Sequence, residues 1–127
     1  MNAVTLSPQG IVDRFLRALE ARDLPTAQGF LAPGMVMTFP GDRKYTSMMD
    51  LIESSKQRYR NVRKTYQGFD EITSNGVTTV YVRGVLNGAW PDGSPITDIR
   101  FIDRFEIKDG KIIDQQVWND MAEFRPK

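Results

Sequence analysis

The 127-residue sequence contains no cysteine and no histidine. These absences exclude disulfide bonds, thiol nucleophiles, the usual zinc sites and the commonest general base. Any chemistry must therefore rest on Asp, Glu, Tyr, Lys, Arg, Ser or backbone groups. We accordingly expect neither a metal nor a cofactor.

The sequence also lacks a charge excess and a long apolar run. Lys and Arg number 17 against 16 acidic residues, a net charge of +1 that gives no reason to expect a nucleic-acid or membrane partner. The one basic run, Lys56 to Lys64, is interpreted as the solvated end of a helix. The start "MNAVTLSPQG" has no signal-peptide character, so we expect a cytoplasmic protein.

A length of 127 residues predicts one domain, spanning residues 1–127, and its helical patterns come first. Ser7 and Pro8 are typical of a helix start, and a second short helix is predicted from Asp23 or Leu24 to Pro33-Gly34. After a short strand at 35–39, "TSMMDLIESSKQRYR" predicts a third helix that is capped by Thr46 or Ser47. Its inward positions would be Met49, Ile52 and Tyr59.

From Lys64 onward the apolar pattern changes to a period of two, which predicts strands. Asn75-Gly76 is a strong hairpin signal joining strands near 64–74 and 77–90, and two further turns lie at 91–94 and 108–110. Four strands joined by tight turns indicate an antiparallel meander. Helices before strands indicate an α+β fold with three helices packed on one face of a curved antiparallel sheet.

One strand, "DIRFIDRFEIKDGK", carries an unexpected carboxylate. Alternation places Asp103 on the same face as Ile99, Phe101, Phe105 and Ile107. A carboxylate on an apolar face must be hydrogen-bonded, ion-paired or protonated. We therefore interpret Asp103 as the polar anchor of a pocket. The alternatives are that the apolar face of the strand ends in a polar rim at this position, or that an Arg pairs with the carboxylate.

The turn lengths decide which residues share the face of Asp103. At residues 108–110, a three-residue loop would place Ile113, Gln115, Val117 and Asn119 there, whereas a two-residue loop would place Ile112, Gln116, Trp118 and Asp120 there. Across the other turn, a two- or four-residue connection would place Val80, Val82, Leu86 and Trp90 beside Asp103, and a three-residue one would place Tyr81, Arg83 and Val85 there. We choose the first, more apolar set for the core. Arg83 is then outside and remains the leading alternative partner of Asp103.

Three segments, "VDRFLRALEARDLPTAQGFLAPGMVMTFP", "RFIDRFEIKDGKI" and "QQVWND", resemble the NTF2-like superfamily, specifically its SnoaL-like group. The resemblance covers almost the whole chain. It implies a conical α+β fold that encloses an apolar cavity, with a small-molecule ligand and a homodimer formed through the sheet. Fold alone does not give a reaction.

The resemblance to enzymes of the superfamily is partial. Asp103 matches the oxyanion-stabilising Asp of ketosteroid isomerase, whose catalytic Tyr and base fall at Phe15 and Phe39. Arg83 matches the Arg of limonene epoxide hydrolase, whose two acids are replaced by the valines at positions 85 and 117. Asp120 matches the base of the SnoaL polyketide cyclases, but their companion His is absent.

Two hypotheses follow from these patterns. In the first, Asp103 and Asp120 are acid or base in proton transfer on a small, mostly apolar carbonyl compound. In the second, the domain is a non-catalytic binding or dimerisation module. In either case the residues expected to bind the ligand are Phe15, Phe39, Tyr59, Phe101, Phe105, Gln115, Val117, Trp118 and Asn119.

Overall fold

The computed structural model describes residues 6–126, which form an α+β fold with the helices on one side of a curved, open sheet. Within that range the elements are α1 (Pro8–Glu20), α2 (Leu24–Gly29), β1 (Leu31–Phe39), β2 (Arg43–Tyr45), α3 (Met48–Ser55), β3 (Asn61–Ser74), β4 (Val77–Ala89), β5 (Pro95–Lys108), β6 (Lys111–Asn119) and α4 (Met121–Phe124). The predicted fold class is confirmed.

The three predicted helices begin where their capping residues predicted. Ser7 Oγ accepts the Gly10 N–H at 3.0 Å, and Ser47 Oγ accepts the Asp50 N–H at 3.1 Å. Asp23 caps α2 through its carboxylate. Side-chain acceptors at these positions satisfy N–H groups that the first helical turn leaves without partners.

The predicted ends of α2 and α3 were wrong. Helix α2 ends at Gly29, and Pro33-Gly34 lies inside β1, where it interrupts the pairing with β6. Helix α3 ends at Ser55, so residues 56–60 of the predicted helix form the connection to β3 instead. Met49 is 68% exposed instead of inward, and Met48 and Leu51 are buried.

The sheet has the strand order β2-β1-β6-β5-β4-β3. The last four strands form the predicted antiparallel meander, and β1 adds to β6 in parallel. The short strand β2 was not predicted, because three residues give too little alternation to read. The turn at Asn75-Gly76 has positive φ at both residues, as a tight two-residue hairpin requires.

The register between β5 and β6 differs from both predicted forms. Lys108 pairs with Lys111, so the loop has two residues, Asp109 and Gly110. A bulge then shifts the pairing before Asp114. As a result Ile112 is buried, as the two-residue loop predicts, whereas Gln115 and Val117 are buried, as the three-residue loop predicts.

The core lies between α1 and the concave face of the sheet. Phe15 on α1 meets Phe105 on β5 edge to face, with ring centroids 5.9 Å apart. Val80 and Val82 of β4 pair with Phe105 and Asp103, and both valines are fully buried. The prediction that these β4 residues face the core beside Asp103 is therefore confirmed, although residues 90–94 form a longer connection than predicted and the pairing shifts between Leu86 and Gly88.

Candidate functional site

A cavity of about 430 Å³ lies between the concave face of the sheet and the segments that follow β1, α3 and β6. Its volume is in the range of small-molecule sites. Apolar and aromatic side chains form most of its wall, and the charged groups are few. The lining residues are Phe39, Pro40, Gly41, Arg43, Arg58, Tyr59, Val62, Lys64, Leu86, Trp90, Phe101, Asp103, Val117, Asn119, Met121, Ala122 and Arg125.

Asp103 forms part of this wall from the middle of β5. It is 0% exposed, and its strand neighbours are Val82 on β4 and Val117 on β6. Neither carboxylate oxygen has a hydrogen-bond partner with good geometry among residues 6–126. Burial raises the pKa of Asp103, against the opposing effect of the nearby Lys64 charge.

The partner of Asp103 is Lys64, whose Nζ lies 3.2 Å from Asp103 Oδ2. Arg83, the alternative partner predicted from the sequence, is exposed on the other face of the sheet, so that prediction was wrong. Lys64 also lies over the Phe101 ring, with Nζ 5.3 Å from the centroid. The Lys64 side chain is 18% exposed, so it is the accessible member of the pair.

The backbone of Lys64 is fixed by α1. Its N–H donates to Glu20 Oε2 at 2.9 Å, and its carbonyl accepts from Arg17 Nη1 at 3.0 Å. Arg17 also donates to Glu20 Oε1 at 2.8 Å. Because β3 is an edge strand, these side chains satisfy backbone groups that have no further strand to pair with. These two hydrogen bonds hold the Lys64 backbone, so that its flexible side chain starts from a fixed position in the cavity wall.

Sequence reasoning missed Lys64 because it began the strand at this residue and explained the charge of the run 56–64 by the solvated end of the preceding helix. The signal was nevertheless present: in β3, Val62, Lys64 and Tyr66 alternate with exposed residues and face the interior. Read as a strand, this pattern puts one lysine on an apolar face. An inward lysine and an inward aspartate on the same sheet would then have suggested an ion pair.

The predicted ligand-binding residues fall into three groups. Phe39, Tyr59, Phe101, Val117 and Asn119 line the cavity. Phe15 and Phe105 pack against each other in the core and do not line this cavity. Gln115 is buried beside a second cavity of about 50 Å³, where its Oε1 has no partner in the described part of the chain.

Two further expectations require correction. Trp118 is 51% exposed and pairs with Ile102, because the bulge in β6 turns it to the outer face. Asp120 begins α4 and pairs with Arg100, with Nε and Oδ2 2.7 Å apart, outside the cavity wall. Trp90, assigned to the core from the sequence, lines the cavity and is 4% exposed.

The geometry thus combines a mostly apolar wall with one buried ion pair. A carboxylate with a raised pKa is a stronger base than an ordinary aspartate, and an ammonium group can stabilise a developing negative charge on oxygen. No set of three or more Asp or Glu side chains within residues 6–126 is arranged to hold a metal ion. No helix in that part of the chain is long and apolar enough to cross a membrane.

Comparison with protein families finds a match to the SnoaL-like domain over residues 12–115, more than half of the chain. The search of curated proteins gave no match.

Solved structures share the fold at low sequence identity. An NTF2-like protein of unknown function from Burkholderia pseudomallei is 18% identical with a TM-score of 0.74, over 91% of this chain and 92% of that one. TerC, co-crystallised with polyporic acid, is 13% identical with a TM-score of 0.72, and the match covers 90% of this chain and 92% of that one. IdmH, a candidate polyketide cyclase from Streptomyces antibioticus, is 16% identical with a TM-score of 0.68, and the match covers 92% of this chain and 94% of that one.

Proposed function

Since the chain belongs to the SnoaL-like domain family, within the NTF2-like fold, we propose that it binds a small, mostly apolar carbonyl compound in the 430 Å³ cavity and transfers a proton on it. The observation that carries the proposal is the Lys64–Asp103 pair. A buried carboxylate without hydrogen-bond partners is costly in a purely structural role. A ligand that engages the pair would offset that cost.

The two members of the pair take different roles. Lys64, the accessible one, donates to the carbonyl oxygen of the ligand and stabilises the negative charge that develops there. Asp103 accepts the proton from the carbon next to that carbonyl, after the flexible Lys64 side chain moves toward the oxygen. The raised pKa of Asp103 makes it a stronger base than an ordinary aspartate. Asp120 has no part in this scheme, because it pairs with Arg100 outside the cavity.

A non-catalytic binding module is the second candidate. It is favoured by the complete burial of Asp103, since a ligand that meets only Lys64 needs no access to the carboxylate. In that case the pair supplies a positioned hydrogen-bond donor and no proton transfer takes place. The candidates differ in whether the carboxylate is needed after the ligand has bound.

Deuterium uptake by a model ketone separates the candidates. 1-Tetralone, an aromatic ketone with exchangeable protons next to its carbonyl, would be incubated with protein in D₂O and followed by NMR. Wild type should accelerate uptake above the buffer rate, and Asp103→Asn should abolish the acceleration. Glu106→Gln is the matched control, because it changes a carboxylate of the same strand that pairs with Arg104 on the outer face.

The rate should rise with pH through the raised pKa of Asp103, since only the ionised carboxylate accepts a proton. Binding of 1-tetralone to wild type and Asp103→Asn without acceleration by either would favour the binding module. Absence of binding to wild type, measured by calorimetry, would refute both candidates for this ligand class.

We also propose that two copies associate through the outer face of the sheet. Ile102 pairs with Trp118 across β5 and β6, and Tyr81 lies diagonally from Ile102 on β4, so three partly exposed apolar side chains are contiguous. Contiguous exposed apolar surface is typical of an interface.

In sedimentation experiments Ile102→Lys should convert the dimer to monomer. Ile72→Lys, at an exposed isoleucine of β3, should leave the dimer unchanged, and a monomeric wild type would contradict the proposal.

A further inference from the structure

We propose that Arg43, Arg58 and Arg125 form an anion-binding subsite at the solvent-facing end of the cavity, for a carboxylate or phosphate group carried by the ligand. The three residues are called the arginine cluster below. This inference rests on the proposed function, because it assigns a chemical class to the ligand of the same cavity.

The charges of the cavity wall are not balanced. Among the described residues, four cationic side chains line the cavity, and Asp103, the single acidic one, is paired with Lys64. The arginine cluster makes no ion pair with a carboxylate among residues 6–126. Since the net charge of the chain is only +1, three unpaired guanidinium groups in one cavity do not reflect a generally basic protein.

The positive charges of the arginine cluster are close enough to repel one another. Burial, together with the positive charges of Arg58 and Arg125, lowers the pKa of Arg43. Like charges held together are unfavourable until a counter-charge binds between them. A bound anion would therefore relieve a repulsion that already exists in the free protein.

Two of the guanidinium groups are held in place by hydrogen bonds that use only some of their N–H donors. Arg43 Nε donates to the Pro40 carbonyl at 2.9 Å, which leaves its terminal nitrogens for a ligand. Arg58 Nη1 donates to the Ser54 carbonyl at 3.1 Å and to Ser54 Oγ at 2.6 Å. Ser54 Oγ is in turn 2.6 Å from Tyr45 Oη. Planar, pre-oriented donors of this kind match carboxylate and phosphate groups.

The position of the arginine cluster defines the arrangement of the ligand. Arg125 is exposed, whereas Asp103 is fully buried, so these two residues mark the outer and inner ends of the cavity. Leu86, Trp90 and Phe101 lie in the same wall and present apolar surface. The ligand class is thus an apolar molecule with an anionic group at the outer end and a carbonyl directed to Lys64.

Three probes that share a naphthalene ring test the subsite: 2-naphthoate, 2-naphthyl phosphate and the neutral 2-naphthamide. Their dissociation constants would be measured by calorimetry at pH 7 and low salt. Wild type should bind at least one anionic probe about tenfold more tightly than the amide, because a desolvated charge-assisted pair is stronger than a neutral one. The tighter of the two anions identifies the natural group as carboxylate or phosphate.

Arg43→Gln and Arg125→Gln should each reduce this preference about threefold, and together should remove most of it, while binding of the amide stays within about twofold. Arg63→Gln is the matched control: Arg63 is exposed on the outer face of β3, so its loss changes the net charge equally but leaves the cavity unchanged. Arg125 is exposed near the chain end, so its substitution tests the subsite even if Arg43→Gln impairs folding.

Three results would overturn the inference, and they separate it from the proposed function. Equal affinity for all three probes would remove the subsite but leave the cavity as a ligand site. A preference that survives both arginine substitutions and disappears in Lys64→Met would place the anion at the ion pair instead. Failure of every probe to bind would contradict the subsite and the proposed function together.

Discussion

Replacement of Lys64 by Met tests the ion pair on which the site depends. Met keeps the approximate length of the apolar stem but removes the ammonium group 3.2 Å from Asp103 Oδ2. Asp103 then remains fully buried without a cation and without a well-formed hydrogen bond from the described residues. The folded protein must keep an unpaired charge in its interior or take up a proton.

The size of the effect follows from the distance and the burial. At 3.2 Å and an effective dielectric constant of about 20, the attraction within the pair is about 5 kcal/mol. Removal of one partner of a buried pair typically lowers the free energy of unfolding by about 3–5 kcal/mol. Because the Lys64 side chain is partly exposed, we expect about 3 kcal/mol at pH 8.

The loss should depend on pH with a defined sign. Burial already raises the pKa of Asp103 in the folded protein above its value in the unfolded chain. Protonation of Asp103 therefore stabilises the folded protein at low pH, and this stabilisation is lost as the pH rises through the pKa of the folded protein. Without the Lys64 charge that pKa rises further. The difference in stability between wild type and Lys64→Met should therefore be largest at pH 8 and shrink toward pH 5.

Urea denaturation followed by tryptophan fluorescence at several pH values measures these differences. The double variant Lys64→Met, Asp103→Asn should recover most of the lost stability, because no buried charge remains. Arg104→Met is the control: its Nη1 is also 3.2 Å from a carboxylate, that of Glu106, but on the outer face, so the loss should stay below about 1 kcal/mol. A stability of Lys64→Met equal to wild type at every pH would refute the reasoning.

Three further substitutions test the fold by thermal or urea denaturation. Phe105→Ala should lower the free energy of unfolding by about 3–5 kcal/mol, since the ring is fully buried and packs on α1; a loss under 1 kcal/mol would contradict that packing. Gly84→Ala should lower the free energy of unfolding by more than about 2 kcal/mol, because a Cβ there would lie 1.9 Å from the Thr65 carbonyl oxygen. Gly29→Ala is its control, because a Cβ at that position meets no atom within 4 Å. Equal losses of stability in the two variants would refute this close approach. Ser7→Ala should cost about 1 kcal/mol by removing the N-cap of α1, and an unchanged stability would show that the cap is not formed.

The fold and the burial of Asp103 could be predicted because they depend on local patterns. Capping residues defined the starts of the helices, and alternation in β4 and β5 defined which side of each strand is buried. Asn75-Gly76 defined the hairpin between β3 and β4. In each case the decisive interactions lie within a few residues of one another.

The details that failed depend on non-local geometry. Gln115 and Val117 were placed on the buried face through a three-residue loop, whereas the structure reaches the same result with a two-residue loop and a bulge. Lys64 was missed because β3 and β5 flank β4, so its contact with Asp103 crosses an intervening strand. Turn signals between neighbouring strands give no information on such a contact.

The titration of Asp103 tests the central claim most directly. With the carboxyl carbon labelled with ¹³C, NMR across the pH range reports the pKa of this residue. A carboxylate buried in the cavity wall should titrate well above the ordinary aspartate range, and its signal should shift when 1-tetralone binds. Titration in the ordinary range, with no response to the ketone, would contradict the assignment of Asp103 and Lys64 as the polar centre of the site.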